Sequence, residues 1–374
     1  WFIVIAHVIM SWLINFQVLN LRQPLVAQIW DGLNRILEPV YSRVRNVIPP
    51  MGGLDLAPLI VLIVVAAAAI WIWKPWSQMV PLEMVEPDEQ VGERIDTGDV
   101  LGNFYPAKGA NNGPGILLVG GSEGGLGDEM SRLAQALQSD GFSVLHLSYW
   151  RAPGQPERLE GIRLETFQRG LAWLRAQPQV DPSRLAMMGW SRGSEATQLM
   201  AIRNPSIKAI VLGMPGNAVW PGFSWDAPWQ QFGAPWTWEG EALPYLDTSE
   251  VQMFGRDMDE VNSDLMALQE QQPDAVIPIE EVGVPVLMIC GEADSVWASC
   301  PMARKIEERA AASGKDDVQL LAYMDAGHYG YGAPVSEDDP QFGELSRLGG
   351  SPEGNAEALQ QSYREIVRFL NDAL

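Results

Sequence analysis

The chain has 374 residues, 47% of them hydrophobic, and a formal net charge of −22. That length sets an expectation of two or three domains, and the apolar fraction suffices for a substantial core. A chain this acidic repels phosphate backbones, which excludes nucleic-acid binding and opposes polyanionic substrates unless a local basic pocket exists.

Residues 1–19 are nearly all apolar and rich in aromatics, and residues 57–73 carry no charge before Lys74. A transmembrane helix needs about 20 apolar residues, with tolerance down to about 17. Both runs are therefore expected to span a membrane, their edge tryptophans lying in the interfacial belt. Each is longer than the usual apolar core of a cleaved signal peptide. Between them Leu25, Val26, Ile29, Trp30, Leu33, Ile36 and Leu37 recur at helical spacing. This amphipathic helix either lies in the interface or packs back on the spans. Arg22, Arg35, Arg43 and Arg45 all fall between the two runs, so the positive-inside rule puts that loop in the cytoplasm and sends the chain after Lys74 outward.

The stretch 38–58, with its string Pro49-Pro50-Met51-Gly52-Gly53-Leu54-Asp55-Leu56-Ala57-Pro58, resembles the loop of the YggT family of small bacterial membrane proteins. The resemblance covers about residues 1–73 and implies membrane integration, with a bacterial inner membrane as the expected location.

Residues 74–95, rich in Pro, Glu and Met, read as a linker, and residues 96–374 as a catalytic domain. Short strand-like pieces reach about Phe104, and 111–115 form a turn. Strands are then expected at 116–119, 143–147, 185–188, 209–212, 284–290 and 318–323, and helices at 130–138, 164–177, 194–202 and 362–370. Such alternation predicts an α/β fold whose mostly parallel sheet is covered by helices on both faces. Cys290 and Cys300 form no CxxC and no metal-ligand spacing, so no metal is expected, and two buried free thiols are favoured over a disulfide.

Gly189-Trp190-Ser191-Arg192-Gly193 sits between a predicted strand and a predicted helix. A sharp strand-to-helix turn exposes the serine hydroxyl above the sheet and tolerates only small neighbours. Ser191 is thus the expected nucleophile, and it needs a base. Of the three histidines, His7 lies in the first apolar run and His146 inside an apolar strand, leaving His328 in Asp325-Ala326-Gly327-His328-Tyr329-Gly330. The orienting acid should lie between them in chain order. Asp294, in the loop after the strand ending at Cys290, is the first choice, with Glu292 the runner-up should the loop be offset by a residue. The oxyanion hole is assigned to the amides of Arg192 and of Ser122, with Glu123 next, in Gly120-Gly121-Ser122-Glu123-Gly124-Gly125. That loop lacks dinucleotide or Gly-Lys-Ser/Thr spacing, so no cofactor is expected. Trp220, Trp225, Trp229, Trp236 and Trp238 lie close together, as a lid or acyl-pocket wall or as a cluster pinning an insertion. Glu123, Trp190, Trp236 and Trp238 are the residues expected to line the substrate.

The run 116–374 resembles the C-terminal catalytic domain of the acyl-CoA thioester hydrolases and bile acid-CoA:amino acid N-acyltransferases, a group close to dienelactone hydrolase. The matching strings are the Gly-Gly-x-x-Gly-Gly-Leu loop, Gly-Trp-Ser-Arg-Gly-Ser-Glu, Gly-Glu-Ala-Asp-Ser-Val-Trp-Ala-Ser and Ala-Gly-His-Tyr. The resemblance implies an α/β-hydrolase fold with Ser191, Asp294 and His328 as nucleophile, acid and base. Alanine stands at 293 where that family often has aspartate. Serine at 191 rather than cysteine favours acyl transfer to water. The expected activity is hydrolysis of a small acyl ester or thioester. A serine peptidase, a general carboxylesterase or dienelactone hydrolase-like enzyme, and a membrane-tethered non-catalytic binding module are the alternatives.

Overall fold

A computed structural model describes residues 2–16, 18–47, 57–72, 80–109, 112–227, 230–251, 256 and 258–374. Most of the string 48–58, the start of the expected linker, Asn111 of the expected turn and Trp229 lie outside them. The chain divides into two compact units, Trp1–Gln78 and Met79–Leu374.

The first unit holds helices α1 (Phe2–Asn15), α2 (Pro24–Val47) and α3 (Ala57–Ile72). Leu37, Tyr41, Ala57 and Val61 form its small core. His7 of α1 is buried, stacks on Trp30 at 4.6 Å and meets Asn34 Oδ1 at 3.0 Å and the Tyr41 hydroxyl at 3.1 Å, which fastens α1 to α2. Neither of the two expected membrane spans is confirmed among the described residues. At 1.5 Å per residue, helices of 14 and 16 residues reach about 21 and 24 Å, short of a hydrocarbon core of about 30 Å. Among the described residues no helix is long and apolar enough to cross a membrane.

The second unit is built on an eight-stranded sheet. Its strands are β1 (Glu93–Asp96), β2 (Leu101–Tyr105), β3 (Gly113–Val119), β4 (Ser143–Ser148), β6 (Val180–Trp190), β7 (Ile207–Gly213), β10 (Val286–Gly291) and β11 (Val318–Tyr323), in the order β1-β2-β4-β3-β6-β7-β10-β11. Strand β2 pairs antiparallel with both of its neighbours, β1 and β4, and from β4 to β11 in that order every pairing is parallel. Every residue of β3 and β4 is buried, as parallel strands covered on both faces must be. A second, three-stranded sheet joins β5 (Ile162–Arg163), β8 (Trp236–Trp238) and β9 (Glu241–Ala242). The helices are α4 (Asp128–Ser139), α5 (Glu165–Arg175), α6 (Arg192–Arg203), α7 (Met258–Gln271), α8 (Ser299–Ala312) and α9 (Pro352–Ala373). This is the α/β-hydrolase arrangement.

Helix α9 starts ten residues before the periodic pattern of its C-terminal half. Pro352 occupies its first position and Ser351 Oγ accepts from Gly354 N at 2.9 Å, so the cap sets the start. Residues 80–92 pack on this unit: Val85 N donates to Leu126 O, Asp128 N to a Glu83 carboxylate oxygen, and Arg151 Nη2 to Val80 O.

The two cysteines correct the expectation of free thiols. Cys290 ends β10, Cys300 lies in the first turn of α8, and their Cα atoms are 5.1 Å apart in a disulfide. Residues ten apart in sequence come within bonding reach because the 291–299 loop turns back on itself, a tertiary fact that spacing does not reveal. His146 lies fully inside β4, as expected of a core histidine, with Ser131 Oγ 3.4 Å from Nδ1.

Candidate active site

Strand β6 delivers Ser191 to the turn before α6, with φ 54° and ψ −122°. A non-glycine residue rarely adopts this conformation, and the surrounding packing has to enforce it. The two glycines of the motif supply the room. A Cβ on Gly189 would sit 2.2 Å from the Gly193 carbonyl, and one on Gly193 2.2 Å from the Gly120 carbonyl. Ser191 N donates to Gly213 O at 2.8 Å, tying the turn to the end of β7. The serine caps α6, whose N-terminal dipole favours negative charge there.

The loop after β10 and the loop after β11 bring Asp294 to His328. Asp294 Oδ2 lies 2.8 Å from His328 Nδ1, and the two side chains are 2% and 4% exposed. Asp294 Oδ1 accepts from Val296 N at 2.9 Å and Trp297 N at 3.3 Å. One carboxylate oxygen is thus held by backbone and the other left for the imidazole. Glu292, the alternative acid, turns outward to an ion pair with Arg304. His328 N donates to Leu348 O at 2.9 Å, and its carbonyl accepts from Trp190 Nε1 at 3.1 Å. Trp190 is next to Ser191 in sequence, and its ring lies 5.2 Å from the imidazole. Among the described residues no hydrogen bond joins Ser191 Oγ to His328; Ser191 is 5% exposed. Such bonds commonly tighten only with substrate in place.

The 120–125 loop reaches the serine. A Cβ on Gly121 would lie 2.8 Å from Ser191 Cβ. The amides of Ser122 and Arg192 donate to no protein group among the described residues. The Arg192 side chain points away, to the carbonyls of Pro221 (2.9 Å) and Trp220 (3.0 Å) and to Glu195 at 2.9 Å. Burial pushes the Glu195 carboxyl up to about 7, opposed by the Arg192 guanidinium and the Trp236 indole N–H.

Three of the residues expected to line the substrate have protein partners of their own. Trp236 is fully buried, packed on Tyr149 and Phe167, with Nε1 donating to Glu195. Trp238 has the Arg203 guanidinium over its ring at 5.9 Å, Arg203 being the last residue of α6. Glu123 turns back on its own loop, both carboxylate oxygens accepting from Gly121 N at 2.8 and 2.9 Å, and burial raises its pKa to about 7. The insertion after β7 is pinned by backbone bonds, Leu159 to Phe223 in both directions and Ile162 N to Pro235 O. Residues that sequence reasoning passed over include Trp297, whose ring stands 6.1 Å from His328, and Tyr149 and Trp150. The last two directly follow parallel strand β4, and sites in open α/β sheets gather at the carboxyl ends of strands.

Residues 162–374 match the family model described as BAAT / acyl-CoA thioester hydrolase C terminal, and residues 1–75 match CCB3/YggT. Acyl-coenzyme A thioesterase 6 of Mus musculus is 29% identical over 288 residues, 75% of this chain and 64% of that protein. Its Homo sapiens counterpart is 28% identical over 301 residues, covering 75% and 65%. The chain therefore spans a little under two thirds of the length of these relatives. Among solved structures, a dienelactone hydrolase-like promiscuous phosphotriesterase from metagenomic libraries aligns with TM-score 0.48 and 18% identity, covering 76% of this chain and 98% of that one.

Proposed function

We infer that this chain, which belongs to the BAAT / acyl-CoA thioester hydrolase C-terminal family, hydrolyses acyl esters or thioesters through an acyl-Ser191 intermediate. The observation that carries this reading is the 2.8 Å Asp294–His328 pair beside a serine held in a strained turn at the N-terminus of α6. His328 Nε2 takes the proton as Ser191 Oγ attacks the acyl carbon, and Asp294 holds Nδ1–H and stabilises the imidazolium. The amides of Ser122 and Arg192 receive the oxyanion. His328 then protonates the departing thiolate or alkoxide, and the same groups activate water to release the acid.

Within this reading, esters with uncharged leaving groups are favoured over coenzyme A thioesters. Glu83 and Glu129 line a cavity of about 140 Å³ beside Trp190 and Tyr329, with Arg347 as its cation, an acidic setting that disfavours phosphates. Intact-mass analysis after fluorophosphonate treatment tests the nucleophile: one adduct on the wild type and none on Ser191→Ala is expected, and equal labelling overturns it. A panel of p-nitrophenyl esters, acyl-CoAs and peptides then ranks the leaving groups, with peptides expected to be inert.

The first unit attaches the chain to a membrane. Supporting this, Leu25, Ile29, Ile36 and Val40 are all exposed on α2, at spacings that place them on one face, and YggT-like residues imply the same. The Cys290–Cys300 disulfide supports placing the catalytic unit on the oxidising, outward side. The full chain should float with liposomes in a density gradient; a chain that stays at the bottom of the gradient overturns the attachment.

A further inference from the structure

We propose that Tyr149, Trp150 and Trp225 are positioning residues that set the oxyanion hole, holding two successive peptide planes of the 120–123 loop so that the Ser122 amide faces the reacting carbonyl. The proposal rests on the hydrolase reading above and names groups which that reading does not use. A trans peptide is planar, so fixing the carbonyl of one residue fixes the direction of the next residue's N–H. The Gly121 carbonyl, which shares its plane with the Ser122 N–H, accepts from Tyr149 OH at 3.1 Å and from Trp150 Nε1 at 3.1 Å. Tyr149 OH also lies 3.0 Å from the Gly120 carbonyl. The following plane is held through the Ser122 carbonyl, which accepts from Trp225 Nε1 at 2.5 Å.

All these bonds pull on the carbonyl side of the loop, and the Ser122 amide stays unengaged by protein among the described residues. The loop passes close enough to the serine that a Cβ on Gly121 would be 2.8 Å from Ser191 Cβ. A glycine-rich loop left to itself would sample many orientations; three donors from two separate segments remove that freedom. Tyr149 and Trp150 are themselves buried, Tyr149 against Phe167 and Trp236. Trp225 comes from the insertion after β7 and packs edge-on against Phe223 at 4.9 Å. The insertion thus bears on the oxyanion loop through one indole N–H, at the plane that follows the Ser122 amide.

Tyr149→Phe and Trp225→Phe remove the donors and keep aromatic rings in place. Deleting a whole oxyanion donor costs 10²–10³-fold in turnover, so loosening its support should cost about 10- to 100-fold in kcat, with KM within about twofold. A positioning role further requires that the inhibition constant of a trifluoromethyl ketone rise by the same factor as kcat falls, while a non-covalent competitive inhibitor binds as before. A purely structural role would lower the melting temperature without this parallel. Unchanged kcat in both variants, or equal losses for the ketone and the non-covalent inhibitor, overturns the inference. Wild-type labelling at Ser191 by fluorophosphonate separates the two levels. If labelling succeeds and the variants stay fully active, only the clamp is wrong; if Ser191 does not label, the hydrolase reading falls and the clamp with it.

Discussion

Replacing both cysteines, as Cys290→Ala/Cys300→Ala, tests how the loop carrying Asp294 is held. The bond closes a loop of sequence separation 10. In the chain-entropy treatment such a cross-link contributes about 2.7 kcal/mol at 25 °C by restricting the unfolded chain. For a unit of this size, near the large end of the range where 1 kcal/mol shifts the melting temperature by about 2–4 °C, the expected loss is about 5 °C. Turnover should fall only a few-fold, because backbone bonds hold the same loop independently: Glu292 N to Tyr323 O, Ala293 N to Ala326 O and Ser295 N to Leu348 O, at 2.9, 3.0 and 3.3 Å. Scanning calorimetry on wild type and variant, with thiol titration of the denatured wild type, reads both terms. A variant as stable as the wild type, or two thiols titrating in the unreduced protein, refutes the stability argument. A turnover loss as deep as that of Asp294→Asn refutes the claim that the backbone suffices.

His328→Ala should reduce turnover as much as Ser191→Ala, since the two act as one unit. Asp294→Asn should cost about 10⁴-fold, whereas Glu292→Gln, which disturbs only a surface pair with Arg304, should stay within a few-fold of wild type in steady-state assays. Gly189→Ala forces a methyl to within 2.2 Å of the Gly193 carbonyl and should destabilise by about 3 kcal/mol, visible as a lower urea midpoint. Burial lowers the His146 pKa from 6.5 to about 3, so below pH 6.5 the unfolded chain takes up a proton that the folded one refuses. Stability should therefore fall as pH drops from 6.5 towards 3, by up to about 1.4 kcal/mol per pH unit from this group. Urea unfolding of His146→Asn between pH 6 and 4 should show a correspondingly shallower decline, and parallel slopes for the two proteins would contradict it.

The β strands and helices of the second unit were legible because its pattern is simple. Runs such as 116–119 and 286–290 are short, apolar and bounded by turns, and parallel strands buried on both faces read as such runs. The Ser191 turn was legible from two glycines, since the close approaches at Gly189 and Gly193 leave no other residue type that fits. His328 emerged by scarcity among three histidines. Elements with weaker local signals went unread, among them α7 and the beginning of α9, where a Ser-Pro cap and not apolar periodicity sets the boundary.

What only the tertiary structure decided concerns partners brought together from distant segments. Sequence ranked Asp294 above Glu292 on register alone; the 2.8 Å contact to His328 and the outward turn of Glu292 separate them. Composition favoured free cysteines, but pairing depends on the separation of two Cα atoms across a loop. Trp236 and Trp238 read equally as pocket walls or as a cluster pinning an insertion, because aromatic clustering is the same in a site and in a core; burial puts Trp236 in the core. The clamp on the oxyanion loop had no sequence signal, because its donors at 149, 150 and 225 belong to segments that meet only after the sheet has formed.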